Sequence, residues 1–495
     1  MSFYKIERKR ALFRGTVSGI MSMLLILGMQ IVAYNIQPVM ASGTVYIRVD
    51  GSVDPPTAPI RRDGDIYTLT GNINSDANGI VIERDNIVVD GAGYTVQGAE
   101  ANIGLELSYR YNVTVKGITV TRFECGVWLE YSNNSRLSGN RASSNLFGIC
   151  LSSSSNNLLE RNIASNNLAG TLIEYSYNNT LERNYFSNNT LFGLAISFSS
   201  NNTGSKNRCL TNRAGMVLEY SSFNRLTDNI LSYNIYGIVV PHSSNNTVSD
   251  NSLLDNYYYG IGMSSSTDNI LCENSITYSS LGIWLSSSSN NRFYHNKFIA
   301  NTFQVYNSLS NNVWDDGYPS GGNYWSDYSD ADTFRGIYQN ETGSDGIGDT
   351  AYIIDASNSD EYPLMKPYPW ASHDIGITSL ETSRDIIGQG YNVLIHLMAF
   401  NYGEYAEAMN ITIYANSTTI GEVNSLEVAS RDFIIVTFTW NTSGFAKGNY
   451  TISAVANRVL GEEYTADNSL SNGWILITKV GDFGGGLSPQ FFAFD

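Results

Sequence analysis

SSSSNNLLERNIASNNLAG (Ser152–Gly170) decides how this chain is read. Asn157, Asn162 and Asn167 stand five residues apart, with one or two apolar residues between them. The phrase returns with little change. Glycines that open a Gly-apolar-x-apolar phrase fall at Gly104, Gly126, Gly148, Gly170, Gly193, Gly215, Gly237, Gly260 and Gly282, always 22 or 23 residues apart. So regular a period marks a stacked repeat. Each unit has three apolar beats, such as Ile149 with Leu151, then Leu159, then Ala164. Beats this short suit strands of period two and are too short for helices. Three strands and three turns per unit describe one rung of a parallel β-helix, its rungs ~4.8 Å apart. The expected fold class is therefore all-β: a right-handed parallel β-helix of about 22-residue rungs. The asparagines are expected at the corners, where they tolerate a left-handed backbone and stack as amide ladders.

The rest of the 495 residues is placed around that rod. Residues 1–41 carry Lys5, Arg8, Lys9, Arg10 and Arg14, then an uncharged apolar run, then Val39-Met40-Ala41. That order is a secretory signal or a retained N-terminal anchor, so an extracellular or cell-surface location is expected. An anchor would be the only membrane contact. Residues 42–103 read as an N-terminal cap and first rungs, and 104–310 as the β-helix. Residues 311–370 read as a C-terminal cap and Pro-rich boundary ending in YPLMKPYPW (Tyr362–Trp370). Residues 371–480 hold alternating runs such as NVLIHLMAF and DFIIVTFTW, about seven strands, and suggest an immunoglobulin-like β-sandwich. Residues 481–495 are a Gly-rich tail. The formal net charge is −17, which excludes the basic footprint of a nucleic-acid binder.

The repeated GIxLxxSSNN phrase and the closing NYWSDY, GSDGIGD and YPL segments resemble the NosD-like right-handed β-helix proteins, within the carbohydrate-binding and sugar-hydrolase type of β-helix. The phrases FTWNTSGFAKGNYTI and ADNSLSNGW resemble a CARDB-like domain, an adhesion-related module. The first resemblance implies a periplasmic accessory to a copper enzyme. The ligands for copper do not follow it, because His242, His295, His373 and His396 fall at no ligand spacing.

Candidate chemistry gathers just after each repeat glycine. The residue two positions on is expected to face outward: Glu106, Trp128, Cys150, Leu172, Ala195, Val217, Val239, Gly262, Trp284. Five positions on stand Tyr109, Tyr131, Ser153, Tyr175, Phe198, Tyr220 and His242, with Glu130, Glu174 and Glu219 between the rows. Rings beside carboxylates suit a polysaccharide or surface glycan. Trp128, Tyr131, Tyr175, Phe198, Tyr220 and Trp284 are the candidate ligand-binding residues. The same apolar stripe equally suits a protein partner or the second domain. The leading reading is a non-catalytic protein for adhesion, glycan contact or envelope structure. The alternative is a polysaccharide hydrolase or lyase whose catalytic carboxylates are Glu130, Glu174 and Glu219, spaced every second rung. Asp345, Asp349 and Asp355 are candidate Ca2+ ligands among glycines, or a solvated acidic cap. Cys125, Cys150, Cys209 and Cys272 occupy different rung positions and are expected to form no disulfide.

Overall fold

The computed structural model describes residues 43–367 and 373–478, apart from residues 385, 402, 404, 430–432, 463, 464 and 466. The signal or anchor segment 1–41 and the tail 481–495 lie outside the described residues. The described residues are all-β, and no helix among them is long and apolar enough to cross a membrane.

Three long sheets build the rod. The first has 13 strands, and the second and third have 12 each. Within a rung the chain visits each sheet once: Phe147–Ser152, then Leu158–Glu160, then Ile163–Ser165. Each strand pairs in parallel with its counterpart one rung on, as Leu159 does with Leu181 and Ala164 with Phe186. Period-two alternation turns Ile149, Leu151, Leu159 and Ala164 into one continuous buried core. The rungs keep register because a slip of one residue would expel that whole set. Both 23-residue rungs take their extra residue in the same place. Asn167 still meets Asn189 after 22 residues, while Ala169 meets Phe192 after 23. The second insertion likewise follows Asn256 and throws Tyr257 out to 77% exposure. Both lie at the turn that leads into the first sheet.

The ladders are more complete than the sequence suggested, and one expectation is corrected. Left-handed backbone belongs to the residue before each ladder asparagine: Asn156, Arg161 and Asn166 in one rung, with Ser153 as a fourth. The asparagine itself is buried, and its amide is saturated. Asn162 Nδ2 donates to the Leu137 carbonyl at 2.9 Å and to Asn184 Oδ1 at 3.0 Å. Its Oδ1 accepts from Asn140 N and Nδ2, both at 3.0 Å. Two donors and two acceptors satisfied is all that an amide can do. A fourth ladder runs through serines, with Ser132 N donating to Ser154 Oγ at 2.9 Å and Ser154 N to Ser176 Oγ at 3.0 Å.

The open end of the core is closed by aromatics. Trp314 stacks on Phe293 and Trp325 on Phe298, both at 4.3 Å. Asn323 ends one amide ladder, and buried Asp360 accepts from Asn323 N at 2.7 Å and Trp325 Nε1 at 2.9 Å.

The C-terminal body is a β-sandwich of a three-stranded and a five-stranded sheet. Ile377 and Leu397 from one sheet and Ile411, Ile452 and Ile475 from the other share one core. This body meets the third sheet of the rod. Arg208 Nη2 donates to the Ile377 carbonyl at 3.2 Å, Tyr233 meets Phe433 edge-on at 5.6 Å, and Leu210, Leu254, Met398 and Phe400 line the seam.

Candidate functional site

The outer side of the first sheet holds the residues that the sequence singled out. Strand pairing places Glu130, Ser152, Glu174, Ser197 and Glu219 in one row, one residue per rung. The three glutamates are therefore two rungs apart, ~9.6 Å by strand spacing. Trp128, Cys150, Leu172, Ala195 and Val217 form the parallel row. These side chains point away from the core, yet Cys150, Leu172 and Ala195 are buried. The sequence reading of an open apolar face is corrected here to a recessed one. One position before the repeat glycines the outward residue is Phe147, Phe192, Tyr236 or Tyr259 on some rungs and Ala169 or Ala214 on others, and Tyr175, Phe198, Tyr220 and His242 stand five positions after their glycines. Between that mixed row and the ring row, Cys150, Leu172, Ala195 and Val217 form a recessed trough, with Trp128 and Trp284 on the same line. Tyr259 lies across Gly262 and stacks on Trp284 at 5.9 Å.

The ring row is a stack. Tyr109 pairs with Tyr131 at 5.2 Å, and Tyr175, Phe198, Tyr220 and His242 follow one another at 5.2, 4.9 and 4.6 Å. This corrects the reading of a flat aromatic platform. Within each run the rings spend their faces on one another and turn their edges outward, because every ring sits at the same left-handed corner, φ 47–61°.

The carboxylates differ sharply. Glu174 is 1% exposed, and its Oε1 has no hydrogen-bond partner. Burial, and then the charge of Glu219, push its pKa up to about 7. Glu219 accepts a hydrogen bond from Ser197 Oγ at 3.1 Å, and burial raises its pKa as well. Glu130 is half-buried. The row thus holds one orphaned acid, one supported acid and one half-buried acid.

The acidic loops are built differently. Asp349 takes the backbone N–H groups of Thr333 and Phe334 at 3.0 and 2.9 Å. Asp345 takes Gly336 N at 3.2 Å and Ile347 N at 3.1 Å, and Asp355 takes Asn307 Nδ2 at 2.6 Å. The three candidate Ca2+ ligands are each spent on a separate turn, and the structure does not bring them together. Among the described residues no group of three or more His, Cys, Asp or Glu has the placement to hold a metal ion. The histidines are scattered: His242 stacks on Tyr220, His295 meets Ser320, His373 meets Glu407 and His396 meets Thr437. The four cysteines are free and buried, and burial lifts the Cys150 thiol well above its usual range.

Serines 132, 154 and 176 and the recess over Leu172 escaped the sequence reading. A signal for the recess existed on four rungs, where Phe147, Phe192, Tyr236 and Tyr259 stand three residues before Cys150, Ala195, Val239 and Gly262.

Comparison with known proteins places the rod. The model of the NosD family, described as periplasmic copper-binding protein, matches residues 60–208 and 188–330, more than half of the chain. No curated protein matches the chain. Among solved structures, it is similar to the CARDB domain of the PF1109 protein of Pyrococcus furiosus, at 15% identity over 23% of this chain and 99% of that one, TM-score 0.20. It is similar to the A-module of the mannuronan C-5 epimerase AlgE6 of Azotobacter vinelandii, at 13% identity over 50% and 73%, TM-score 0.37. It is also similar to the enzymatically active domain of tailspike protein 2 of bacteriophage CBA120, at 11% identity over 83% and 71%, TM-score 0.30. None of these likenesses carries an activity to this chain.

Proposed function

This chain belongs to the NosD family of β-helix proteins, and from that premise we propose that it is an exported, non-catalytic protein that contacts polysaccharide or surface glycan through the outer trough of the first sheet. One observation carries the reading: a recessed line of Cys150, Leu172, Ala195 and Val217 runs beside the stacked rings of Tyr175, Phe198, Tyr220 and His242, with Glu174 and Glu219 at its edge. A track along a rod suits an extended polymer, and aromatic walls with hydrogen-bond acceptors suit sugars. The described contacts between the sandwich and the rod lie on the third sheet.

A second reading, cleavage of the polymer, is favoured by Glu174 and Glu219. Their spacing lies at the upper edge of the ~6.5–9.5 Å that separates the two carboxyl groups of an inverting glycosidase. Against it, a general acid must reach the scissile bond, and Glu174 is buried. Copper is named in the family's description, but the donors described here do not fit it. The histidines are apart, and burial, then the neighbouring Cys125, raise the pKa of the Cys150 thiol and oppose the thiolate a soft metal needs.

The test is to incubate the purified chain with a polysaccharide panel, with and without calcium, and to follow retention and new sugar ends. Retention without new ends is the expected result. New ends would overturn the non-catalytic reading and indict Glu174 and Glu219. No retention on any polymer would overturn the glycan reading itself.

A further inference from the structure

At the corner between the first and second sheets asparagines come in pairs, and the two members do different work. In Asn178-Asn179-Thr180, Asn201-Asn202-Thr203 and Asn245-Asn246-Thr247 the second asparagine is a buried member of a ladder. Its amide is consumed: Asn179 Nδ2 donates to the Ser154 carbonyl at 2.9 Å and to Asn202 Oδ1 at 3.0 Å. The first asparagine holds the left-handed corner, φ 56–58°, and is exposed. Among the described residues none bonds the side-chain amide of Asn178, Asn201 or Asn245. Other Asn-x-Ser/Thr triplets have a structural task. Asn112 Nδ2 donates to Asn86 Oδ1 at 2.9 Å, and Asn410 and Asn416 Oδ1 accept from Ser425 N at 2.7 Å and Thr451 N at 2.9 Å.

The scaffold dictates neither end of these triplets. Phe223 and Asp268 hold the same corner on other rungs, at φ 58° and 57°. Arg225 and Ile270 then open the second-sheet strand on those rungs, where Thr180, Thr203 and Thr247 open it on theirs. Yet amide and hydroxyl come together. Wherever a threonine opens this strand after such a corner, at Thr114, Thr180, Thr203 and Thr247, the corner two residues earlier is an asparagine. The described contacts of the sandwich lie on the third sheet, away from this corner. An exposed asparagine followed two residues on by a hydroxyl is the acceptor for N-linked sugar in exported proteins.

We propose that Asn178, Asn201 and Asn245 are N-glycosylation sites, a line of attached sugar along the corner between the first and second sheets. The inference rests on the export reading above and goes beyond the glycan contact assigned to the trough. In the transfer, Asn Nδ2 bonds to the anomeric carbon of a sugar carried on a polyprenyl phosphate. The bond from that carbon to the phosphate oxygen breaks, the amide gives up one proton, and the lipid phosphate leaves. No electrons are gained or lost. The ladder asparagines are excluded, because a sugar on Nδ2 would break hydrogen bonds inside the rod. Only 15% of the residues are charged, and attached sugar supplies hydration that charge does not.

The test is to isolate the full chain from the cells that encode it, record its cell fraction, and read its peptides by mass spectrometry with electron-transfer fragmentation. Hexose- or hexosamine-containing additions are expected on Asn178, Asn201 and Asn245, and none on Asn179, Asn202 or Asn246. In Thr180→Val, which removes the hydroxyl and keeps the shape, the addition on Asn178 should be lost and that on Asn245 kept. An exported chain with all three asparagines bare would overturn the sites and leave export standing. A chain retained in the cytoplasm would overturn export and the sites with it. Sugar on a ladder asparagine, or on Asn178 in Thr180→Val, would overturn the assignment to these corner triplets.

Discussion

Asn184 and Glu174 are equally buried, ten residues apart in sequence, and opposite in character. Asn184 faces into a corner of the rod, where its Oδ1 accepts from Asn162 N and Nδ2 and its Nδ2 donates to the Leu159 carbonyl and Asn207 Oδ1, at 2.8–3.0 Å. Glu174 faces out into the trough and leaves Oε1 without a partner. Proteins satisfy nearly all buried polar groups, and an exception needs a reason. The ladder amide is scaffold, because every atom of it is accounted for within the rod. The trough carboxylate is not accounted for in that way, since its Oε1 finds no donor.

Removing the ladder amide should have the largest effect. Asn184→Ala strands the partners of four hydrogen bonds in the interior and is expected to cost about 4 kcal/mol, on the scale of 1–3 kcal/mol per orphaned buried group. A thermal or urea melt would measure it, and a loss below about 1 kcal/mol would remove the contrast with Glu174.

The next effect depends on pH. The Glu174 carboxyl titrates near 7 when folded, against 4.5 as the ordinary value. The unfolded chain therefore releases that proton first. The stabilising effect of the protonated acid is whole below about pH 4.5, falls between there and about 7, and stays lost above. Glu174→Gln abolishes the loss and is expected to stabilise the protein relative to the parent by about 3 kcal/mol at pH 8, with little difference at pH 4. Buried Asp360 shifts in the same direction, to about 7. The comparison is therefore between variant and parent melts across pH, not within one curve.

Two smaller changes sharpen the picture. Phe198→Ala breaks the stacks with Tyr175 and Tyr220 and should cost about 2 kcal/mol, since such pairs contribute ~0.5–1.5 kcal/mol each beyond their burial. Asp349→Asn keeps the turn's shape but weakens charge-assisted bonds to Thr333 and Phe334. It should lower the melting temperature by only a few degrees, by the same amount with calcium or with a chelator. A shift that appears only with calcium would restore a bound ion to that loop.

Much of the rod was legible because its logic is local. Gly126, Gly148 and Gly170 mark the same rung position, and the observed pairing of Val127 with Ile149 and of Ile149 with Thr171 follows that count. The glutamate row was legible for the same reason. What was not legible is what the neighbours of an outward residue do. Leu172 is expected outside and is outside, yet it is buried, and no count along one strand reports the size of side chains two rungs away. The left-handed positions were misassigned by one residue. A stretch such as Asn156-Asn157 does not say which asparagine bends the chain and which one stacks.

Amino-acid order alone determined the all-β class, the 22-residue rung, the corner ladders and the lining of up to three glutamates on one row. Those follow from period-two alternation and a fixed repeat, which are properties of the chain itself. Only the tertiary structure decided that Ca2+ candidates Asp345, Asp349 and Asp355 serve separate turns, that the aromatic residues stack on one another, and that Glu174 alone in its row is buried without a donor. Burial and hydrogen-bond completion depend on groups that approach through space, and sequence spacing carries no record of them.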